Sequence, residues 1–169
     1  MKFDIEKFLD LTGYEENRDF RRRRKHAKDN LEATKATAEF FTPYEIVKRM
    51  ADKIPEYTWA DPTKTFCEPC FGSGQFVLYI IWNRIQHGID WDTALRTCYG
   101  VELMQDNVSE THARVFGLLD ALNIDYDKDI AMDIMHENLV CSDFFDWDFE
   151  NWKPKNKIDV SVTSGTHES

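Results

Sequence analysis

The sequence has no run of about 18 apolar residues, the length that a helix needs to span a membrane. Its amino terminus, Met-Lys-Phe-Asp-Ile-Glu-Lys, lacks the apolar region of a secretory signal peptide. These two absences predict a cytoplasmic protein without membrane contact. In that compartment we expect the four cysteines to remain reduced thiols.

An excess of positive charge is also missing, because the formal net charge is −10 at pH 7. Phosphate backbones attract cationic surfaces, so the chain as a whole is a poor free-standing nucleic-acid binder. One segment, Arg18 to Lys28, is locally basic, and its central Arg21–Lys25 is a candidate contact to DNA or to an acidic partner. The alternative is a solvated helix face that neighbouring Asp and Glu side chains balance.

The sequence does contain enough apolar material for one packed domain, since 42% of the residues are hydrophobic and twelve Phe and five Trp are among them. We divide the chain into a charged helical amino-terminal segment (1–35), an α/β domain (36–162) and a flexible tail (163–169).

A glycine-rich turn separates the first predicted strand, Lys64–Glu68, from an apolar predicted helix, Gln75–Gln86. Gly72 and Gly74 can adopt positive φ angles and let a ligand approach the backbone closely. The first N–H groups of the helix have no partner within it, and they point at the ligand site. The turn is not the dinucleotide motif G-x-G-x-x-G, and it lacks the Lys-Ser/Thr of a phosphate-binding P-loop.

Acidic residues follow the next two predicted strands as well. The second strand, Thr97–Glu102, ends in a carboxylate, at the position where a βαβ unit grips a ribose diol. The alternative for Glu102 is an ordinary acid at a strand-to-loop corner. The third strand, Glu137–Cys141, leads into Asp143 and Phe144, which can hydrogen-bond to a base and stack on it. The other expected elements are a helix over 106–122, a solvated acidic turn over 125–133 and a fourth strand over Lys157–Val162.

Thr42-Pro43 predicts the start of another helix, with the threonine hydroxyl as the cap and proline as the first helical residue. Glu45 would complete a capping box. A capped helix alone does not explain the apolar pair Phe40-Phe41 immediately before it.

Cys67-x-x-Cys70 has the spacing of a zinc or redox pair. Cys98 and Cys141 are the other two thiols, and strand ends that meet at one edge could bring all four together. A closed zinc site normally takes two local pairs of ligands, so we assign no metal.

Four motifs in this order resemble those of N6-adenine DNA methyltransferases, the enzymes of restriction-modification systems and their phage relatives. They are Phe40-Phe41-Thr42-Pro43, Glu68-Pro69-Cys70-Phe71-Gly72-Ser73-Gly74-Gln75-Phe76, Gly100-Val101-Glu102-Leu103 and Ser142-Asp143-Phe144. The first resembles that family's Phe-Phe-Thr-Pro motif, and the second its Asp-Pro-x-x-Gly-Ser-Gly-x-Phe loop. The resemblance covers about Ala36 to Val162, the part that corresponds to the adenosylmethionine-binding half of such an enzyme.

The resemblance implies S-adenosyl-L-methionine as the cofactor and a bacterial or phage-infected cell as the setting. It places the methionine end of the cofactor at the first two motifs, the ribose at Glu102, and the adenine at Leu103, Asp143 and Phe144. It also implies an α/β fold, namely a partial Rossmann-like class I adenosylmethionine-dependent methyltransferase fold. That fold would have about four parallel strands with flanking helices and a helical amino-terminal segment.

The chain departs from the family after the fourth predicted strand, where the family has Asn/Asp-Pro-Pro-Tyr/Phe. Here Thr163-Ser164-Gly165 follows, so no catalytic residue is assigned, and we expect no activity from the chain alone. An exposed fourth strand would favour self-association or a protein partner. Three functions stay open: the cofactor domain of a methyltransferase, a binding protein that sequesters the cofactor or docks on a partner complex, and an enzyme acting on the cofactor itself.

Overall fold

The computed structural model describes residues 2–10 and 42–155, which form a mixed α/β fold with a three-stranded parallel sheet. The helices are α1 (Ile5–Leu9), α2 (Tyr44–Ala51), α3 (Glu56–Ala60), α4 (Gln75–Gln86), α5 (Trp91–Arg96), α6 (Gln105–Ala121) and α7 (Lys128–Asn138). The parallel strands are β1 (Phe66–Glu68), β2 (Cys98–Glu102) and β3 (Leu139–Cys141). A 3₁₀ turn (Phe144–Asp146) and a two-stranded antiparallel hairpin, β4 (Trp147–Asp148) and β5 (Lys153–Pro154), follow them.

The sheet has the order β1-β2-β3, with both neighbouring pairs parallel. Phe66 pairs with Cys98 at one end of the register, and Glu102 pairs with Cys141 at the other. All three strands therefore end at the same edge, which the following loops share. This arrangement is compatible with a Rossmann-like fold, whose ligands bind at that edge.

Helix α4 occupies the residues that the sequence predicts, from Gln75 to Gln86, and its apolar side chains fill the core beside the sheet. It ends where Gly88 adopts a φ of 87° and Ile89 N donates to Arg84 O at 3.1 Å. That 6→1 bond is the Schellman ending that a glycine favours.

Arg84 is fully buried near the end of α4 and holds the turn that leads into β1. Its guanidinium donates to Lys64 O at 2.7 Å and to Asp61 O at 3.0 Å, and it lies 5.1 Å from the centroid of the Phe66 ring. Burial lowers the pKa of this arginine. The first strand is therefore fixed at its start by a charge-assisted contact to backbone carbonyls.

The prediction of a solvated turn over 125–133 is wrong, because α7 begins at Lys128. The Asp127 carboxylate caps it, accepting from the N–H groups of Asp129 and Ile130 at 2.9 and 3.0 Å. Residues Ala131, Ile134 and Met135 are buried at helical spacing. Acidic residues on the exposed side concealed this apolar stripe in the sequence.

The predicted capping box at Thr42 is also wrong. Helix α2 begins at Tyr44, and its N-cap is Pro43, whose ψ of 152° is extended and whose position carries no side-chain cap bond. The Pro43 carbonyl accepts from the N–H groups of Ile46 and Val47. Proline therefore precedes the helix instead of opening it.

Several predictions concern residues outside the described ranges. These are the basic segment Arg21–Lys25, the fourth strand Lys157–Val162 and the tail 163–169, and they stay predictions. Among helices in the described parts of the chain, none combines the length and the apolar character needed to cross a membrane.

Two glycines with similar backbone conformations give a matched test of packing at the turn. A Cβ at Gly74 (φ 93°) would lie 2.7 Å from Thr111 Cγ2, whereas a Cβ at Gly88 (φ 87°) would meet nothing within 4 Å. We expect Gly88→Ala to lower the free energy of unfolding by about 1 kcal/mol through backbone strain alone. Gly74→Ala should lower it by about 2–4 kcal/mol because overpacking adds to that strain. Denaturant unfolding measures both, and equal losses would contradict the tight contact with Thr111.

His112 of α6 is buried against β3, and its Nε2–H donates to Leu139 O at 3.1 Å. Its ring centroid lies 5.4 Å from that of the exposed His136 on α7. Burial, and to a smaller extent His136, lowers the pKa of His112, so the folded chain holds the imidazole neutral.

The unfolded chain binds this proton at a pKa near 6.5, whereas the folded chain resists it, so the folded state loses stability as the pH falls below about 6.5. The slope from this one group is at most about 1.4 kcal/mol per pH unit. We expect His112→Gln to show a smaller loss of unfolding free energy between pH 7.5 and pH 5.5 than the wild type. His136→Gln removes only the smaller contribution, so its loss should lie between those of the wild type and His112→Gln, and identical pH dependence in all three proteins would refute this assignment.

Candidate functional site

The ring of Phe71, a residue of the glycine turn, packs on β2. Gly100 makes room for this ring, because a Cβ there would lie 2.5 Å from Phe71 Cδ1 and 3.1 Å from Glu68 O. Phe71 N donates to Val101 O at 3.3 Å, and Gly74 N donates to Phe71 O at 2.8 Å. The turn is thus a packed part of the sheet edge.

Polar side chains on α6 hold the same turn by its carbonyl groups. Thr111 Oγ1 donates to Gly72 O at 3.2 Å, and Arg114 Nη1 donates to Ser73 O at 2.7 Å. Because the carbonyls are held from this side, the turn's outward approach is at Gly72, where a Cβ would meet nothing within 4 Å. Neither side chain was predicted as a site residue from the sequence, although their spacing with Asn107 places all three on one face of the helix.

Glu102 connects this turn with the start of α6. Its Oε2 accepts from Gly72 N at 2.9 Å, and its Oε1 accepts from Met104 N at 3.0 Å and from Asn107 Nδ2 at 3.1 Å. The residue is only 8% exposed. Both carboxylate oxygens therefore already bind the chain itself, and a ribose contact would have to use their remaining lone pairs. The ribose role of Glu102 stays a prediction.

Apolar side chains are exposed beside these acids, where β2 and β3 end. Leu103 is 56% exposed, Phe144 43% and Phe145 77%. Cys141 Sγ lies 3.5 Å from Leu103 O, so the two strand ends are adjacent. The Asp143 carboxylate accepts from Phe145 N at 2.8 Å and caps the 3₁₀ turn, which fixes the direction in which the chain leaves β3.

Three carboxylates surround the thiol of Cys70 in the glycine turn. Burial raises the pKa of Cys70, and the charges of Glu102, Glu68 and Asp143 raise it further. Burial also raises the pKa of Glu68, whose Oε1 accepts from Cys70 N at 3.3 Å. The structure thus places one predicted site acid from each strand end near this thiol, while the guanidinium of Arg114 lies on the α6 side of the same turn.

The remaining predicted site residues differ from one another in exposure and in contacts. Pro69 is exposed, whereas the ring of Phe76 is packed against the core, which favours a structural part for it. The Oγ of Ser73 is buried and has no hydrogen-bond partner among the described residues. Thr42 is joined to the turn through its carbonyl, which accepts from Gln75 Nε2 at 3.1 Å. Phe40 and Phe41 lie outside the described residues.

Comparisons with protein-family models, with curated proteins and with solved structures find no match for this chain. The interpretation of the site therefore rests on its residues and their geometry.

The four cysteines are free thiols, of which Cys98 is buried and the other three are exposed. Burial raises the pKa of Cys98 to about 12, so this thiol stays protonated at neutral pH. Within 2–10 and 42–155, no three His, Cys, Asp or Glu side chains are grouped so that they could hold a metal ion.

A cavity of about 500 Å³ lies away from this edge, at the carboxyl end of α4, and Trp59, Tyr79 and His87 are among its lining residues. Its lining residues Tyr79 and His87 lie about 6 Å and about 18 Å along the helix axis from Gln75, the first residue of α4. None of the predicted site residues lines it.

Glu102→Gln should destabilise the fold. The NH₂ group of the amide would lie against the N–H of Gly72 or of Met104, whose hydrogen bonds the carboxylate accepts. We expect a loss of about 1–3 kcal/mol in the free energy of unfolding, the cost of a buried donor left unpaired. The control is Glu45→Gln on the exposed side of α2, which should change it by less than about 0.5 kcal/mol. Denaturant unfolding of both variants decides, and a neutral Glu102→Gln would show that the carboxylate does not hold the turn.

Proposed function

We propose that the carboxyl edge of the β1-β2-β3 sheet binds S-adenosyl-L-methionine as the donor for methylation of adenine N6 in DNA. In this proposal the fold is of the class I methyltransferase type, with Lys157–Val162 as a fourth parallel strand. The observation that carries it is the combination of three carboxylates with exposed apolar side chains around one glycine turn.

The charge of the site supports this cofactor over the phosphate-bearing ligands of related folds. S-adenosylmethionine carries a sulfonium and an ammonium group, which the carboxylates of Glu68, Glu102 and Asp143 would attract. It has a single carboxylate, so its net charge is positive. The phosphates of a dinucleotide or of ATP would meet the same three negative charges and be repelled.

The apolar residues support the placement of the adenine ring. Leu103 and Phe144 are exposed at neighbouring strand ends, where a flat base could lie between them. Stacking on an aromatic side chain and burial of apolar surface would offset the entropy that the ligand loses on binding. Glu102 lies between this pair and the glycine turn, as a ribose contact requires.

No catalytic residue is assigned to this chain, because its sequence has no Asn/Asp-Pro-Pro-Tyr/Phe to hold a flipped adenine. The target pocket would come from outside these 169 residues, with Arg21–Lys25 as a weak additional contact to DNA and the fourth strand as the contact to a partner. The same absence favours a second candidate, a protein that binds the cofactor without transferring its methyl group. Methyl transfer to DNA by the purified chain alone would overturn the external origin of the target pocket and the non-catalytic second candidate.

Calorimetric titration of the 169-residue chain tests cofactor binding directly. We expect a dissociation constant on the order of micromolar for S-adenosylmethionine and no measurable binding of ATP at the same concentrations. Leu103→Ala and Phe144→Ala should each weaken binding about tenfold, because each removes part of the surface beside the base.

The control for these two variants is Ile130→Ala, which truncates a similarly exposed apolar side chain on α7. It should leave the affinity unchanged. Tight binding of ATP, or an equal loss in the Ile130 variant, would contradict the proposed site.

A further inference from the structure

The side chain of Gln75, the first residue of α4, contacts three separate parts of the chain. Its Nε2 donates to Leu9 O at 2.9 Å and to Thr42 O at 3.1 Å, and its Oε1 accepts from Arg114 Nη2 at 2.9 Å. Arg114 in turn donates to Ser73 O, within the glycine turn. Gln75 is itself buried.

These contacts engage both N–H donors and the oxygen of the Gln75 amide, so they determine which way the amide points. Both N–H donors of a glutamine side chain are needed for the two carbonyls, and its oxygen is the only atom that can accept from Arg114. The amide cannot be flipped without placing its N–H groups against the guanidinium and its oxygen against two carbonyls. The orientation of Gln75 is therefore fixed by its partners, and in turn it fixes the position of Thr42 relative to the turn.

We propose that Gln75 is a positioning residue, which holds Thr42 beside the glycine turn so that Thr42 can contact the methionine part of the cofactor. This inference rests on the proposed function, because it concerns one end of the same ligand. Gln75 acts through Thr42 and the turn, and its own buried amide makes no contact with the ligand. It therefore sets the affinity for the amino-acid part of the ligand and leaves the adenosine part unaffected.

Two substitutions separate the contacts of Gln75. Gln75→Glu keeps an acceptor for Arg114 but loses both N–H donors and places a carboxylate beside the carbonyls of Leu9 and Thr42. Gln75→Met keeps a side chain of similar length and loses every hydrogen bond. Gln86→Glu and Gln86→Met, at the exposed last residue of α4, are the matched controls.

The ligands are S-adenosylmethionine and 5′-methylthioadenosine, which shares the adenosine part but has no amino-acid part. In calorimetric titrations we expect both Gln75 variants to bind S-adenosylmethionine about tenfold more weakly and methylthioadenosine with unchanged affinity. The Gln86 variants should bind both ligands as the wild type does. Equal losses for the two ligands, or no loss for either, would overturn the positioning role.

Amide hydrogen exchange tests the contact between Gln75 and Thr42 in the absence of any ligand. The N–H groups of Ile46 and Val47, which donate to Pro43 O next to Thr42, should exchange faster in the Gln75 variants than in the Gln86 variants. The N–H of Leu78, which donates to Gly74 O, should exchange at the same rate in all of them. A merely structural role for Gln75 would speed exchange at both places.

If the wild type binds neither ligand, the proposed function fails, and exchange alone decides whether Gln75 holds Thr42. Exchange at Ile46 and Val47 that is the same in the Gln75 and Gln86 variants would then overturn the inference.

Discussion

The carboxylate of Glu102 makes the hydrogen bonds that hold together the carboxyl edge of the β1-β2-β3 sheet, where the candidate site lies. It accepts from the backbone of the glycine turn, from the backbone at the start of α6 and from the Asn107 amide, while its own carbonyl accepts from Ser142 N at 3.0 Å. One residue at the end of the central strand thereby joins the loops that follow β1, β2 and β3. An ionised acceptor suits this position, because bonds from N–H groups to a carboxylate are stronger than bonds to a neutral oxygen.

Two glycines allow the close approach that the hydrogen bonds of Glu102 require. Gly100 lets Phe71 lie on β2, and Gly74 lets the turn approach Thr111. A side chain at Gly100 would therefore push the turn off β2, and one at Gly74 would push the turn away from α6. Thr111 and Arg114 then reach the carbonyls of the turn, while Gly72 N reaches Glu102. One N–H group and two carbonyls of the turn are thus held from opposite sides, which restricts its conformation.

The sequence predicted those parts of the fold whose signals are local. Helix α4 was predicted to the residue because a glycine turn precedes it and Gly88 ends it. Helix α7 was missed because acids at its start and on its outer face resemble a solvated turn, although the Asp127 cap and the buried Ala131 and Ile134 carry the signal of a helix. Pro43 was placed one position too far into α2, since the order Thr-Pro does not determine which of the two residues is the cap.

The candidate site could be predicted only as a set of positions. The parallel order of the strands follows from the βαβ pattern, so the meeting of Glu68, Glu102 and Asp143 at one edge was within reach of the sequence. The bonds that join Glu102 to Gly72, or Gln75 to Leu9 and Thr42, connect residues far apart in the chain. They depend on how the helices pack, which no local pattern specifies.

The acids around Cys70 impose a condition on any ligand of this edge. In the folded chain Glu102 is buried, Glu68 is half-buried and Asp143 is exposed, and all three lie close enough to Cys70 to raise the pKa of its thiol. A cation placed among them would lower the free energy of all three carboxylates in the folded state alone, and it would therefore stabilise the fold as it bound. A phosphate would gain no such attraction and would bind more weakly. The charges of this edge would thus favour a sulfonium ligand over a nucleotide.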